Sequence, residues 1–177
     1  MPVLIAAVIV LFALVLVDLS LSAAIIRKLR VLEARSAGSP PGGLAPGTAP
    51  GEFTALSVQG APVTSGDLRG EQTLIGFFSS DCSGCLPKAP VFAEVAAEAR
   101  RQGVRTVAVI AVMERGPEEL VAALGEGPTV VTEQGRGSMG RAFEIGAFPW
   151  FMLVGPDGTV AAGGGDPADC LKAAARV

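Results

Sequence analysis

Cys82 and Cys85 are separated by two residues in the stretch FFSSDCSGCLPKAP, which runs from Phe77 to Pro90. Such a pair can clip a metal, close a structural disulfide or exchange disulfides, and each use needs different company. Structural zinc needs four ligands, yet the third cysteine, Cys170, stands 85 positions beyond Cys85 in a chain with no histidine. A fixed disulfide across one helical turn would constrain little of the chain. Exchange needs a thiolate that is exposed, stable near neutral pH and still reactive. A cysteine at the start of a helix meets those needs, because unpaired N–H groups and the positive dipole end favour its anion. The spacing puts Cys82 there as nucleophile, with Cys85 one turn on to displace a trapped partner. Redox exchange is the expected chemistry, with no metal and no cofactor beyond the pair. The rival is a soft-metal module, such as a copper chaperone, with both sulfurs as ligands.

The neighbours adjust that thiolate. Ser83 has a hydroxyl to donate, and Gly84 keeps a backbone N–H that proline would lack. Asp81 opposes the anion by charge repulsion, and Lys88 is placed to offset part of it. Cys170, beside Leu171 and Ala174, reads as a small buried residue, with a resolving or partner-linking thiol as the other use. Arg136 and Arg141 read as solvated surface charges.

Short strand-like pieces alternating with helical ones predict an α/β fold. "EFTAL" and "APVT" flank Gln59-Gly60 as an antiparallel hairpin. "TLIGFF" (Thr73–Phe78) is continuously apolar, as expected of a strand buried on both faces, and "TVAVIAV" (Thr106–Val112) is a second. A helix is expected from Ser83 to Arg101, with Pro90 bending it. Pro117 opens another, and Glu118-Glu119 suit its N-terminal end. "TVVT" is a small extra strand, and Ser138–Glu144 a short helix. "WFMLV" and "TVAAG" flank the tight turn "GPDG", and Asp166 caps a closing helix to Arg176.

Composition narrows the partners. With no histidine and no tyrosine, Ser-His-Asp and Cys-His catalysis are excluded, and a base-stacking platform is disfavoured. From Glu52 to Val177 there are 10 basic and 15 acidic side chains, a net −5, which argues against a nucleic-acid partner. At the other end, the 24 residues Val3–Ile26 carry one charge, Asp18. As a helix that run spans about 36 Å, enough to cross a hydrocarbon core about 30 Å thick. A cleaved signal peptide is the alternative, but the run is too long and no Lys or Arg precedes it. Residues 1–35 therefore read as a transmembrane anchor and basic stem. Residues 36–51, with four prolines and five glycines, read as a tether that buries nothing. Residues 52–177 read as the folded domain.

The order of elements, with Cys-x-x-Cys opening the helix after the first central strand, resembles a thioredoxin fold with an N-terminal hairpin and a central insert. More narrowly it resembles the membrane-anchored TlpA-like thiol-disulfide oxidoreductases, and its anchor and stem their MauD branch. "SVQGAPVTSGDLRG", "CSGC", Pro90 five positions past Cys85 and "FPWFMLVGPDGTV" carry the likeness. The resemblance implies a cis-proline at Pro149 facing the cysteines, with Phe148 and Trp150 touching substrate or packing the fold. The alternative for Pro149 is an ordinary strand-entry proline. The resemblance also implies protein thiol or disulfide clients and an upstream redox partner. Thiol peroxidases are a further alternative, disfavoured because no threonine precedes Cys82 at the spacing they use. The chain departs from the family patterns in four places. Gly76 stands where thioredoxins keep a buried carboxylate, Asp81 where a tryptophan is usual, "SG" where a proline is common, and Lys88 where many TlpA-like proteins have Glu.

Topology is pulled two ways. Arg27, Lys28, Arg30 and Arg35 follow the apolar run, which by the positive-inside rule puts the domain in the cytoplasm. The resemblance puts it outside, where clients are oxidised. The expectation is a single-pass membrane protein with an extracytoplasmic domain.

Overall fold

A computed structural model describes residues 42–174. The expected span, the basic stem and the first part of the tether lie outside the described residues. Among the described residues, no helix is long and apolar enough to cross a membrane.

β1 (Thr54–Leu56) and β2 (Pro62–Thr64) form the expected hairpin, with Thr54 opposite Thr64. A short 3-10 turn, Ser65–Leu68, leads into β3 (Thr73–Ser79), buried at every position. α1 (Cys85–Arg101) follows, then β4 (Arg105–Val112), α2 (Glu118–Leu124), β5 (Thr129–Gln134) and α3 (Gly137–Ala142). β6 (Trp150–Val154), β7 (Val160–Gly164) and α4 (Pro167–Ala174) close the domain. Asp166 caps α4, its carboxylate accepting the Ala168 N–H at 2.9 Å.

The five-stranded sheet runs β5-β4-β3-β6-β7, with β3, β4 and β5 parallel and β6 and β7 antiparallel to their neighbours. Strand alternation splits the core into two layers. Leu74, Phe78, Ile110, Phe151 and Leu153 face α1 and α4, with Phe78, Phe92 and Phe151 in mutual ring contact at 5.6–5.8 Å. Ile75, Phe77, Val109, Met152 and Val154 face the hairpin and α3. Because β3 and β4 are parallel, their C-terminal ends meet at one edge, where ligands of open α/β sheets are handled. The cysteine pair lies at that edge.

Two expectations need correction. α1 begins at Cys85 rather than Ser83, and Cys82–Gly84 form a turn closed by the Cys85 N–H to the Cys82 carbonyl at 3.1 Å. Residues 42–51 are not a tether that buries nothing. Leu44 is 7% exposed within the second core layer, and its N–H reaches the Phe143 carbonyl at 3.1 Å. Gly47 N–H and the Thr48 carbonyl pair with Val160 at 2.7 and 2.9 Å, and Gly51 N–H with the Ala142 carbonyl at 3.1 Å. The glycines that suggested flexibility allow close approach instead. A Cβ on Gly42 would stand 2.1 Å from Cδ2 of Trp150, so only a bare backbone fits over that ring.

Candidate active site

The turn at Cys82 is built by what precedes and follows it. β3 ends at Ser79, whose carbonyl accepts the Cys82 N–H at 3.2 Å. α1 then starts with Gly84 at its N-cap, with no side-chain cap and no acidic residue in its first turn. No side chain caps the opening N–H groups of α1, and the turn that holds Cys82 stands directly before them. Pro87 falls in the first turn, where a missing N–H costs nothing.

The two thiols occupy different environments. Cys82 is half-buried, and its Sγ donates to the Phe148 carbonyl oxygen at 3.3 Å. Cys85 is fully buried among Phe78, Ala89 and Phe92, and its Sγ accepts the Ser79 N–H at 3.4 Å. Burial, then the hydrogen bond to Cys82, pushes the Cys85 thiol up to about 12, against the opposing pull of the Ser79 N–H. Both cysteines are free thiols in this structure. One sulfur faces solvent and the other is held as a neutral thiol behind it.

Across the site, the Phe148–Pro149 peptide bond is cis. A Cβ on Gly84 would touch Pro149 Cδ at 3.7 Å and Cys82 Sγ at 3.9 Å, so these three residues are brought together. Phe148 is half-buried and touches both core layers. Trp150 is placed elsewhere. It starts β6 with its side chain on the layer facing the hairpin and α3, under Gly42, away from the α1 face where Cys85 lies. Its Nε1 is buried without a hydrogen-bond partner. Strand alternation sends Trp150 to the opposite face from Phe151, so packing is its role here.

The predicted modulators also part company. Ser83 and Gly84 are exposed on the turn, and the hydrogen bond of Cys82 runs to Phe148 rather than to the Ser83 hydroxyl. Lys88 does not offset Asp81. Its Nζ lies 3.9 Å from Asp166 Oδ2 at the start of α4. The Asp81 carboxylate instead accepts the N–H of Glu114 at 3.2 Å and of Arg115 at 3.0 Å, with Arg115 Nε at 3.3 Å. The Arg115 backbone N–H is the main reason its carboxyl is held below the ordinary value. Asp81 thus braces the β4–α2 loop against the cysteine turn, and Arg115 takes the compensating place that sequence reading gave to Lys88.

That loop is what the sequence reading missed. Two clefts of about 450 and 560 Å³ share Ser79 and Cys82, and Met113–Gly116 form much of their walls. The parallel pairing of β3 with β4 brings the residues after Val112 beside those after Ser79, a neighbourhood that no local motif marks. Cys170 is buried on α4, its Sγ donating to the Phe151 carbonyl at 3.5 Å. Arg136 and Arg141 are exposed.

The Redoxin family model matches residues 42–169. That match begins where the packed strap begins. Among solved structures, the thioredoxin domain of a thiol-disulfide oxidoreductase from Bacteroides vulgatus is 22% identical. It covers 75% of this chain and 97% of its own, with a TM-score of 0.60. A putative thioredoxin from Neisseria meningitidis is 26% identical over 67% of this chain and 80% of its own, at a TM-score of 0.54. A putative thiol:disulfide interchange protein DsbE from Chlorobium tepidum is 23% identical over 75% and 94%, at 0.57. Comparison with curated proteins gives no match.

Proposed function

Because the chain belongs to the Redoxin family, we propose that it is a thiol-disulfide oxidoreductase that exchanges disulfides with protein thiols through Cys82 and Cys85. One observation carries this reading. The accessible Cys82 sulfur sits at an uncapped helix start, directly in front of a buried thiol that only a partner already bound to Cys82 brings into play. The similarity to a thiol-disulfide oxidoreductase from Bacteroides vulgatus and a putative thiol:disulfide interchange protein from Chlorobium tepidum supports it.

From the dithiol state, the Cys82 sulfur attacks one sulfur of a client disulfide. The client S–S bond breaks, a Cys82–client disulfide forms, and the other client sulfur leaves as a thiolate that takes up a proton. Cys85 then loses its proton to solvent and attacks Cys82 Sγ as the thiolate; the Cys82–client bond breaks, and the departing client sulfur takes up a proton. The net change moves two electrons and two protons from the pair to the client, and a Cys82–Cys85 disulfide remains. Run backward, the same steps oxidise a client dithiol, and the direction follows the two reduction potentials.

The finer reading follows the likeness set out above: a TlpA-like protein of the MauD branch, held by residues 1–35 in a membrane, with an extracytoplasmic domain served by an upstream redox partner. The apolar run Val3–Ile26 supports the anchor, and oxidised clients outside the cytoplasm support the side. Shaving intact spheroplasts with protease tests the side, because an extracytoplasmic domain is cut without lysis.

Trapping tests the chemistry. Cys85→Ser keeps the attacking sulfur and loses the resolving one, so it accumulates reductant-sensitive adducts with clients on non-reducing gels. Cys82→Ser gives none. If Cys85→Ser traps nothing, and the reduced wild-type domain binds copper tightly without turning over disulfides, the soft-metal module replaces the exchange mechanism.

A further inference from the structure

The clefts flanking Cys82 carry an uneven charge. Their linings include four carboxylates, Asp81, Glu114, Glu118 and Glu119, and one guanidinium, Arg115. Arg115 is committed to Asp81 at 3.3 Å. Glu114, Glu118 and Glu119 have no ion-pair partner among the described residues. The next cation along α1, Lys88, is turned to Asp166.

The helix accounts for part of this. Glu118 and Glu119 lie in the first turn of α2, where acidic side chains complement the dipole. That dipole end carries roughly half a positive charge, less than the two carboxylates beside it, and Glu114 precedes the helix without its benefit. The Glu118 carboxylate also folds back over the loop, since a Cβ on Gly116 would meet its Oε2 at 2.0 Å. It lies along the Arg115–Gly116 wall of the cleft that holds Cys82. Two exposed apolar side chains add to the linings, Leu86 at 42% in one cleft and Met113 at 48% in the other. The site offers a client apolar contact under a negative field.

We infer that the preferred clients are protein segments whose reactive cysteine is flanked by basic side chains. This rests on the exchange reading above and adds the selection rule. A cationic segment meets complementary charge in both clefts lined by Cys82, which raises its encounter rate, whereas an acidic segment is repelled. Because the carboxylates are exposed, the preference is confined to low ionic strength, where the screening length is long.

The test uses the reduced full-length chain in detergent and three synthetic peptides. Each has one cysteine, joined through a disulfide to a coloured leaving thiol, with flanks of lysine, glutamine or glutamate. Single-turnover release of the coloured thiol is followed at low and high salt. The lysine peptide reacts about tenfold or more faster than the glutamate peptide at about 20 mM salt, and the ratio collapses toward about twofold near 0.5 M. Glu118→Gln with Glu119→Gln lowers the low-salt ratio at least threefold. Glu94→Gln with Glu126→Gln, which removes the same charge from elsewhere on the domain, leaves the ratio in place. Equal rates for the three peptides at low salt overturn the inference while leaving exchange standing, and so does a ratio that both double variants lower alike. Failure of the glutamine peptide to react at all sinks the exchange reading and this one with it.

Discussion

A Cβ built on Gly76 would stand 2.9 Å from Cε2 of Phe92 and equally close to Cε2 of Phe78. The middle of β3 beneath the cysteine pair therefore has room for backbone only, and aromatic carbon fills the space. A carboxylate introduced there has no volume and no hydrogen-bond partner. Gly76→Asp is expected to destabilise the domain by about 3 kcal/mol or more, from overpacking and burial of an unpaired polar group. Combining it with Phe92→Ala, which alone costs about 3–4 kcal/mol, is expected to cost less than the sum by about 1 kcal/mol or more. Denaturant unfolding of the four proteins measures this, and strict additivity would show that the ring does not set the limit.

The same apolar seal governs the second half of exchange. In the mixed disulfide Cys82 no longer carries a charge or accepts a hydrogen bond, but burial, the largest cause of the raised Cys85 pKa, remains. The resolving rate is therefore expected to rise about tenfold per pH unit across pH 6–9, since the attacking thiolate is a growing minor species. Rapid-mixing kinetics on a preformed Cys82 adduct would show it, and a plateau below pH 8 would contradict it. Stability moves the other way. Above the ordinary value of 9.0, the unfolded chain releases a Cys85 proton that the folded chain keeps up to about 12. The reduced domain thus loses up to about 1.4 kcal/mol per pH unit from this group as pH rises through that window. Cys170, raised to about 11 by burial first and by Asp169 and Asp166 next, adds a loss between 9.0 and about 11. The disulfide form keeps only the Cys170 share, so the two redox forms diverge in alkaline unfolding curves.

Trp150 is the only tryptophan in the chain, which makes the strap over it easy to follow. Gly42→Ala places a methyl inside the ring's contact distance, and is expected to cost about 1–3 kcal/mol and shift the emission to the red as the indole meets water. Leu44→Ala removes a buried side chain and is expected to cost about 2–3 kcal/mol. A tether would give neither effect. Unchanged emission and unchanged unfolding midpoints in both variants would return residues 42–51 to that role.

The sequence by itself determined the elements and the chemistry. Apolar runs such as Thr73–Ser79 and Arg105–Val112 have one stable use, as strands covered on both faces. Cys-x-x-Cys before a helix leaves one accessible sulfur and one behind it, because the second cysteine is one turn further in. The tertiary structure decided everything that depends on which residues distant in sequence become neighbours. Composition made residues 42–51 look like a spacer, since glycine and proline are common to flexible chain and to tightly apposed backbone, and only the presence of Trp150 and Val160 beside them distinguishes the two. Lys88 was assigned to Asp81 by nearness along the chain. The helix carried it to Asp166, and the parallel pairing of β3 and β4 delivered Arg115 and the acidic rim in its place. Charges act through space, and the order of strands in the sheet sets those distances.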